Sequence, residues 1–210
     1  MPADVIKIGP LGPNDNNSYI IADRATKQAI FIDAPIDSEK AIEAAKPYDV
    51  RRVVITHRHG DHWAGIDAVK RAIKAPVHCH EADSAPYAAK IDGHVSDGET
   101  IAVGDTIVRV IHTPGHTPGS VCLLAPTADG DVLISGDTLF PGGPGRSDNP
   151  AALQEMIASI VARLLTLDDR TAVYPGHGAN TTIADAKREH AVFASKKHSP
   201  DLCGDVTWEA

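Results

Sequence analysis

The stretch THRHGDHWAG, residues Thr56 to Gly65, gathers His57, His59, Asp61 and His62 within six positions. Neutral imidazole and carboxylate are ligands that suit zinc, iron and manganese. His57 and His59 are two apart on an extended loop, so both can face one ion. Asp61 and His62 point elsewhere and can serve a second. Each site is incomplete and needs ligands from other parts of the chain. His116 in TPGH, Asp137 in SGD and His177 in PGH offer them. His116 and His177 can complete one site each, and the two oxygens of Asp137 can bridge. Two metals about 3.5–4 Å apart can hold a hydroxide between them, and a metal-bound water can have its pKa lowered to about 7.

A single histidine is more often a surface or satisfied core residue. That reading suits His78, His80, His94, His112, His190 and His198. It fails for the seven ligand-capable residues together, because crowded polar and charged groups are costly without a partner.

These residues must be positioned by elements that end near one another, and the hydrophobic pattern supplies them. Val53–Ile55 runs into His57, Ile107–Ile111 into His116, Val132–Ile134 into Asp137, and Ala172–Tyr174 into His177. Each predicted strand thus finishes on a potential ligand, with Gly60, Gly115, Gly136 or Gly176 close by to let the backbone turn. Loops at one edge of a sheet can converge side chains on a point. Further strands are predicted at Val5–Ile8, Tyr19–Ile21, Ala29–Ile32 and Ser120–Leu124. Helices are predicted over Asp37–Lys46, with Asp37 as N-cap, over Ile66–Ile73, and over about Ile183–Ser195, with Thr182 and Asp185 at capping-box spacing. The clearest helix follows Asn149 and Pro150, with Leu153, Ile157, Ile160 and Leu164 as its apolar stripe. Mixed strand and helix order of this kind fits a layered α/β protein.

Composition excludes several classes. The 210 residues, 42% of them apolar, suggest one folded domain spanning 1–210. Net charge is −8 with no Lys/Arg-rich run, which argues against nucleic acid or an anionic membrane surface as partner. No apolar run approaches a membrane span, and MPADVIKIGP does not read as a secretory leader. Cys79, Cys122 and Cys203 are odd in number and widely spaced, so they are expected to be free thiols, each a small buried hydrophobe, in a cytoplasmic protein.

On the HxHxDH residues His57, His59, Asp61 and His62, followed in order by His116, Asp137 and His177, the chain resembles the metallo-β-lactamase superfamily. The resemblance implies a four-layer αβ/βα sandwich with metals at one edge. It implies His57, His59 and His116 on the first metal, Asp61, His62 and His177 on the second, and Asp137 bridging. HTPGHTPGS, SGDTLF and YPGHG are most similar to glyoxalase II-type hydrolases (hydroxyacylglutathione hydrolases), and the GDTLFPGG loop to short bacterial proteins of that kind. The 33 residues after His177 leave room for one helix and a tail, so the helical C-terminal domain of glyoxalase II is expected to be missing or reduced. β-Lactamases of the superfamily often carry cysteine where Asp137 stands, so β-lactam hydrolysis is not expected.

The activity implied is hydrolysis of a small acyl substrate, a thioester first, with two divalent transition-metal ions: zinc, or iron or manganese. A bridging hydroxide attacks the carbonyl and a metal stabilises the oxyanion. Asp61 can also orient or receive a proton, which makes it the expected catalytic residue. Lactone opening uses the same machinery. The rival from another class is persulfide dioxygenation on one iron held by two His and one Asp. The loop PGGPGRSD, Pro141–Asp148, lacks a P-loop ending. It is either a tight turn into the helix or the carrier of Arg146 as a grip for an anionic part of the substrate. Trp63 either walls the pocket or, the preferred reading, packs under the metal loop.

Overall fold

The computed structural model describes residues 2–208. Its first half comprises β1 (Ala3–Leu11), β2 (Asn16–Asp23), β3 (Gln28–Ile32), α1 (Glu39–Ala45), β4 (Asp49–Val54), α2 (Ile66–Ile73), β5 (Val77–His80) and β6 (Gly93–Val95). Its second comprises β7 (Thr100–Val103), β8 (Thr106–His112), β9 (Val121–Thr127), β10 (Gly130–Gly136), a small hairpin of β11 (Leu139–Phe140) and β12 (Gly143–Pro144), α3 (Pro150–Ser159), β13 (Ala172–Pro175), β14 (Thr181–Thr182) and α4 (Ile183–Ala194).

The strands of the first half run side by side in the order β1 to β6, and β7, β8, β9, β10, β13 and β14 do the same in the second. Among the described residues, strand pairing links the two halves where Ala3 of β1 meets Thr127 of β9, and a further bridge joins Asn16 to His177. They fold face to face over a shared core in which Ile21, Ile30, Ile32 and Val54 meet Val108, Val110, Leu123 and Ile134. The outer face of the first half carries α1 and α2, with Ala41, Ile66 and Val69 packed among Phe31, Val53 and Val77. The outer face of the second carries α3 and α4, with Leu153, Met156, Ile183 and Phe193 packed among Ile111, Leu133 and Val173. Helix, sheet, sheet, helix: the expected four-layer sandwich forms because each sheet half must cover two apolar faces. β2 is buried along its whole length, whereas β8 turns Thr106, Val108 and Val110 inward and leaves Ile107 and Arg109 outside.

Three readings of the sequence need correction. Asp37 is not the cap of α1: it adopts a left-handed φ of 63°, and the helix starts two residues later, after Ser38. The buried stripe of α3 uses Met156, with Ile157 only partly covered, and the chain then widens into a π-helical turn at Ile160–Leu164. That wider turn shifts the facing residues off a constant helical period, which keeps Ile160 and Leu164 inward. Cys79 and Cys122 are buried, but Cys203 is exposed; all three are free.

Candidate metal centre

Four strand ends meet at one edge of the sandwich. β4 leads through Ile55 and Thr56 to His57, and a single turn at Gly60–His62 brings Asp61 and His62 round to the same side. The Thr56 amide donates to Asp33 Oδ1 at 2.8 Å and its hydroxyl to Oδ2 at 2.9 Å, which ties this loop to the end of β3. β8 leads to His116, β10 to Asp137 and β13 to His177. Gly136, at φ 49°, turns the chain so that Asp137 points inward. A Cβ on Gly176 would strike Asp137 Oδ1 and His62, so the backbone of the last loop can approach only as glycine.

All seven predicted residues come together. The ligand atoms of His57, His59 and His116 lie within 4.8 Å of one another, and so do those of Asp61, His62 and His177. Asp137 stands between the groups. Its Oδ2 is 3.6 Å from His116 Nε2, 3.9 Å from His57 Nε2 and 3.2 Å from His177 Nε2, and its Oδ1 is 3.5 Å from His62 Nε2. His177 Nε2 is 3.3 Å from Asp61 Oδ2. Asn16 Nδ2 donates to that same Asp61 oxygen at 2.9 Å.

Four of the histidines are held by the far side of the ring. His62 Nδ1 meets Asp33 Oδ2 at 2.9 Å, and His57 Nδ1 meets the Thr56 hydroxyl at 3.1 Å. His116 Nδ1 meets the Arg146 carbonyl at 2.8 Å, and His177 Nδ1 the Asn14 carbonyl at 2.7 Å. A carbonyl or carboxylate on Nδ1 fixes the tautomer and leaves Nε2 with a lone pair facing inward. Buried polar atoms ordinarily find a partner. Here His57 Nε2, His116 Nε2 and Asp137 Oδ1 are buried without one among the described residues. Orphaned donor atoms converging from separate strands fit a divalent cation.

The electrostatics agree. Burial and the His62 ring push His57 well below the usual imidazole range, against the pull of Asp137, so it is neutral and ready to ligate. Burial pushes the Asp137 carboxyl up, yet His62, His57 and His177 outweigh it and hold it well below the usual carboxylate range. Burial pushes His62 down, but Asp137 and Asp33 prevail and hold it well above its ordinary value.

Beside Asp137 and His177 opens a cleft of about 380 Å³, walled by Phe140, the turn through Gly142, Arg146 and a C-terminal strap from Asp205 to Thr207. Arg146 does sit in this cleft, its guanidinium exposed, 3.3 Å from Asp148 and 4.0 Å from Asp205. Trp63 packs under the metal loop, donating to the His57 carbonyl at 2.9 Å and stacking on Tyr87 at 4.0 Å. His112 stacks on His80 and contacts the Pro118 carbonyl, outside the ligand groups.

Sequence reasoning missed Asp33, Asn16 and the strap. Asp33 ends an apolar strand, as the ligands do, so the same signal could have found it. Asn16 and the strap reach the site through pairing and packing that no local pattern announces.

Residues 11–177 match the Metallo-beta-lactamase superfamily. A hydroxyacylglutathione hydrolase of a Polaromonas species is 38% identical over 165 residues, covering 77% of this chain and 62% of its own length. Among solved structures, the BLEG-1 B3 metallo-beta-lactamase superposes with a TM-score of 0.75 at 30% identity, over 88% of this chain and 97% of its own. ETHE1 from Myxococcus xanthus gives 0.74 at 28% identity, over 91% of this chain and 86% of its own.

Proposed function

The chain belongs to the metallo-beta-lactamase superfamily, and from that membership we propose that it is a dinuclear metal-dependent hydrolase of a small acyl thioester. The observation that carries this reading is the pair of ligand groups with Asp137 in reach of both, together with the orphaned Nε2 atoms of His57 and His116 in the first. His57, His59 and His116 would hold one divalent transition-metal ion and Asp61, His62 and His177 the other, with Asp137 between. Bound ions of this kind supply an activated water and polarise a carbonyl. The protein's own part is positioning: the Nδ1 partners lock the rings, and Asn16 fixes the Asp61 oxygen that faces His177. Asp61, a quarter exposed at its side chain, is the group able to accept a proton at the rim of the centre.

The cleft suits a compact substrate that is a small molecule. Phe140 and Val206 offer apolar contact, and Arg146 offers a guanidinium to a carboxylate or phosphate on the substrate. The carboxylates that line it are Asp137 and Asp205. A thiolate leaves without prior protonation, so a thioester makes the smallest demand on such a cleft for a general acid. The likeness to a hydroxyacylglutathione hydrolase supports the same bond type.

The test pairs a thiol assay with an oxygen electrode. Protein loaded with zinc, manganese or iron is offered a small thioester, a lactone, a β-lactam and a persulfide in turn. One free thiol released per turnover, at a rate indifferent to oxygen, is the expected result. Oxygen uptake on the persulfide with no thioester cleaved would make it an iron dioxygenase instead, and turnover of the lactone or β-lactam alone would replace the substrate class. Arg146→Ala is expected to raise KM for an acidic thioester more than for a neutral one. Equal effects on both would reduce Arg146 to a structural part of the turn.

A further inference from the structure

Asp83 lies outside the ligand set, yet its carboxylate joins the loop that begins at His57 to the loop that carries His116. It closes the turn Glu81–Asp83 after β5 and is fully buried. Its Oδ2 accepts the Arg58 amide at 2.9 Å and the Thr117 hydroxyl at 2.5 Å. Its Oδ1 accepts the Gly119 amide at 2.9 Å. Arg58 is the residue between His57 and His59, and Thr117 follows His116. A Cβ on Gly119 would stand 2.6 Å from the Asp83 carboxyl carbon, so the second loop is built to press against this group. Among the described residues, the cation paired with it is the Arg58 guanidinium at 4.0 Å, itself partly exposed.

A buried carboxylate is costly to desolvate unless it is strongly hydrogen-bonded, a cost that an apolar residue would avoid. Simple packing between β5 and the sandwich does not require one. What the charge adds is direction: it fixes two backbone segments from opposite sheet halves in one orientation. The contacts fall at Arg58, between His57 and His59, and at Thr117 and Gly119, beside His116, whereas Asp61 and His62 lie beyond the following turn and His177 on another loop.

We propose that Asp83 is a positioning residue for the His57–His59–His116 group, setting the spacing of its three imidazoles and hence the affinity of that site over its neighbour. The proposal rests on the metal-centre reading above. It assigns to a residue that touches no ion the balance between the two sites.

Cobalt(II) is the probe, titrated into metal-free protein and followed by its visible absorption and by competition with a coloured chelator. Two backgrounds separate the sites: His177→Ala leaves the first group whole, and His59→Ala leaves the second. In the His177→Ala background, Asp83→Ala is expected to weaken cobalt about 10–100-fold, the range for lost outer-shell partners, and to change the band shape. In the His59→Ala background the same change is expected to alter affinity by less than about twofold, as for independent sites. Thr117→Val removes one of the three bonds and should fall between, and Asp83→Asn should recover part of the loss. If Asp83→Ala does not fold, as judged by circular dichroism, Thr117→Val and Asp83→Asn carry the same comparison. Equal weakening in both backgrounds, or none in the first with the fold intact, would overturn the proposal and leave Asp83 a structural tie. Wild-type protein that takes up no cobalt would overturn the metal reading and this one with it; cobalt bound normally by wild type and by every Asp83 variant would overturn this one alone.

Discussion

Among single residues, Asp137 has a role that no other ligand shares. Its carboxylate reaches both groups, with Oδ2 toward His57, His116 and His177 and Oδ1 toward His62. Asp137→Ala should therefore lower the occupancy of both ions, whereas His57→Ala should chiefly empty one. Elemental analysis after gel filtration reads the difference, and a variant that keeps one ion at full occupancy would show that Asp137 serves a single site. The seven candidate ligands were legible because the segments that carry them begin where an apolar strand stops and a glycine-bearing turn begins. The residues that orient them were not, with Asp33 the exception. The Asn14 and Arg146 carbonyls act through their backbone, and a backbone oxygen carries no mark of side-chain identity in the sequence.

Among elements, the C-terminal strap shows how packing creates what local pattern hides. It runs beside the β11–β12 hairpin, exchanging backbone bonds between Gly204 and Ser147 at 3.0 and 3.1 Å and giving the Trp208 amide to the Gly142 carbonyl at 2.8 Å. Glu189 of α4 holds the Gly142 amide from the other side at 3.0 Å. Trp208 is fully buried, packed with Phe193 and Val206 and edge-on to His190. Trp208→Ala should cost about 3–5 kcal/mol, as other large-to-small aromatic changes do, and should free the wall formed by Asp205–Thr207. The expected signature is a lower melting temperature together with a KM that rises more than kcat falls. An unchanged KM in protein that is still folded at the assay temperature would mean the strap lines the cleft without shaping it. The long strands and the helices were readable from periodicity. β5 and β6 were not, because four and three residues are too few to display a period. The π turn at Ile160–Leu164 was equally hidden, since it is a response to the sheet beneath it and not a property of IVARL alone.

For the whole molecule, the centre is also a cross-link. His57, His59, Asp61 and His62 come from the first sheet half, and His116, Asp137 and His177 from the second. Among the described residues the bridge pairs between those halves are Ala3 with Thr127 and Asn16 with His177, so their union depends chiefly on the core between them and on what spans the upper edge. Ions held by both halves add to that union, and any ligand that binds only the folded state stabilises it by mass action. At free metal about 1,000 times Kd, one site contributes about 4 kcal/mol. For a chain of this size each kcal/mol corresponds to roughly 2–4 °C, so chelation should lower the melting temperature by roughly 8–16 °C for each site that it empties. The measurement is a pair of thermal melts on one preparation, with and without chelator, with metal loss verified by elemental analysis. Returning zinc or manganese should restore the higher transition. A melting temperature indifferent to confirmed metal loss would mean that the hydrophobic core alone joins the halves, and that the ions serve chemistry without holding the fold.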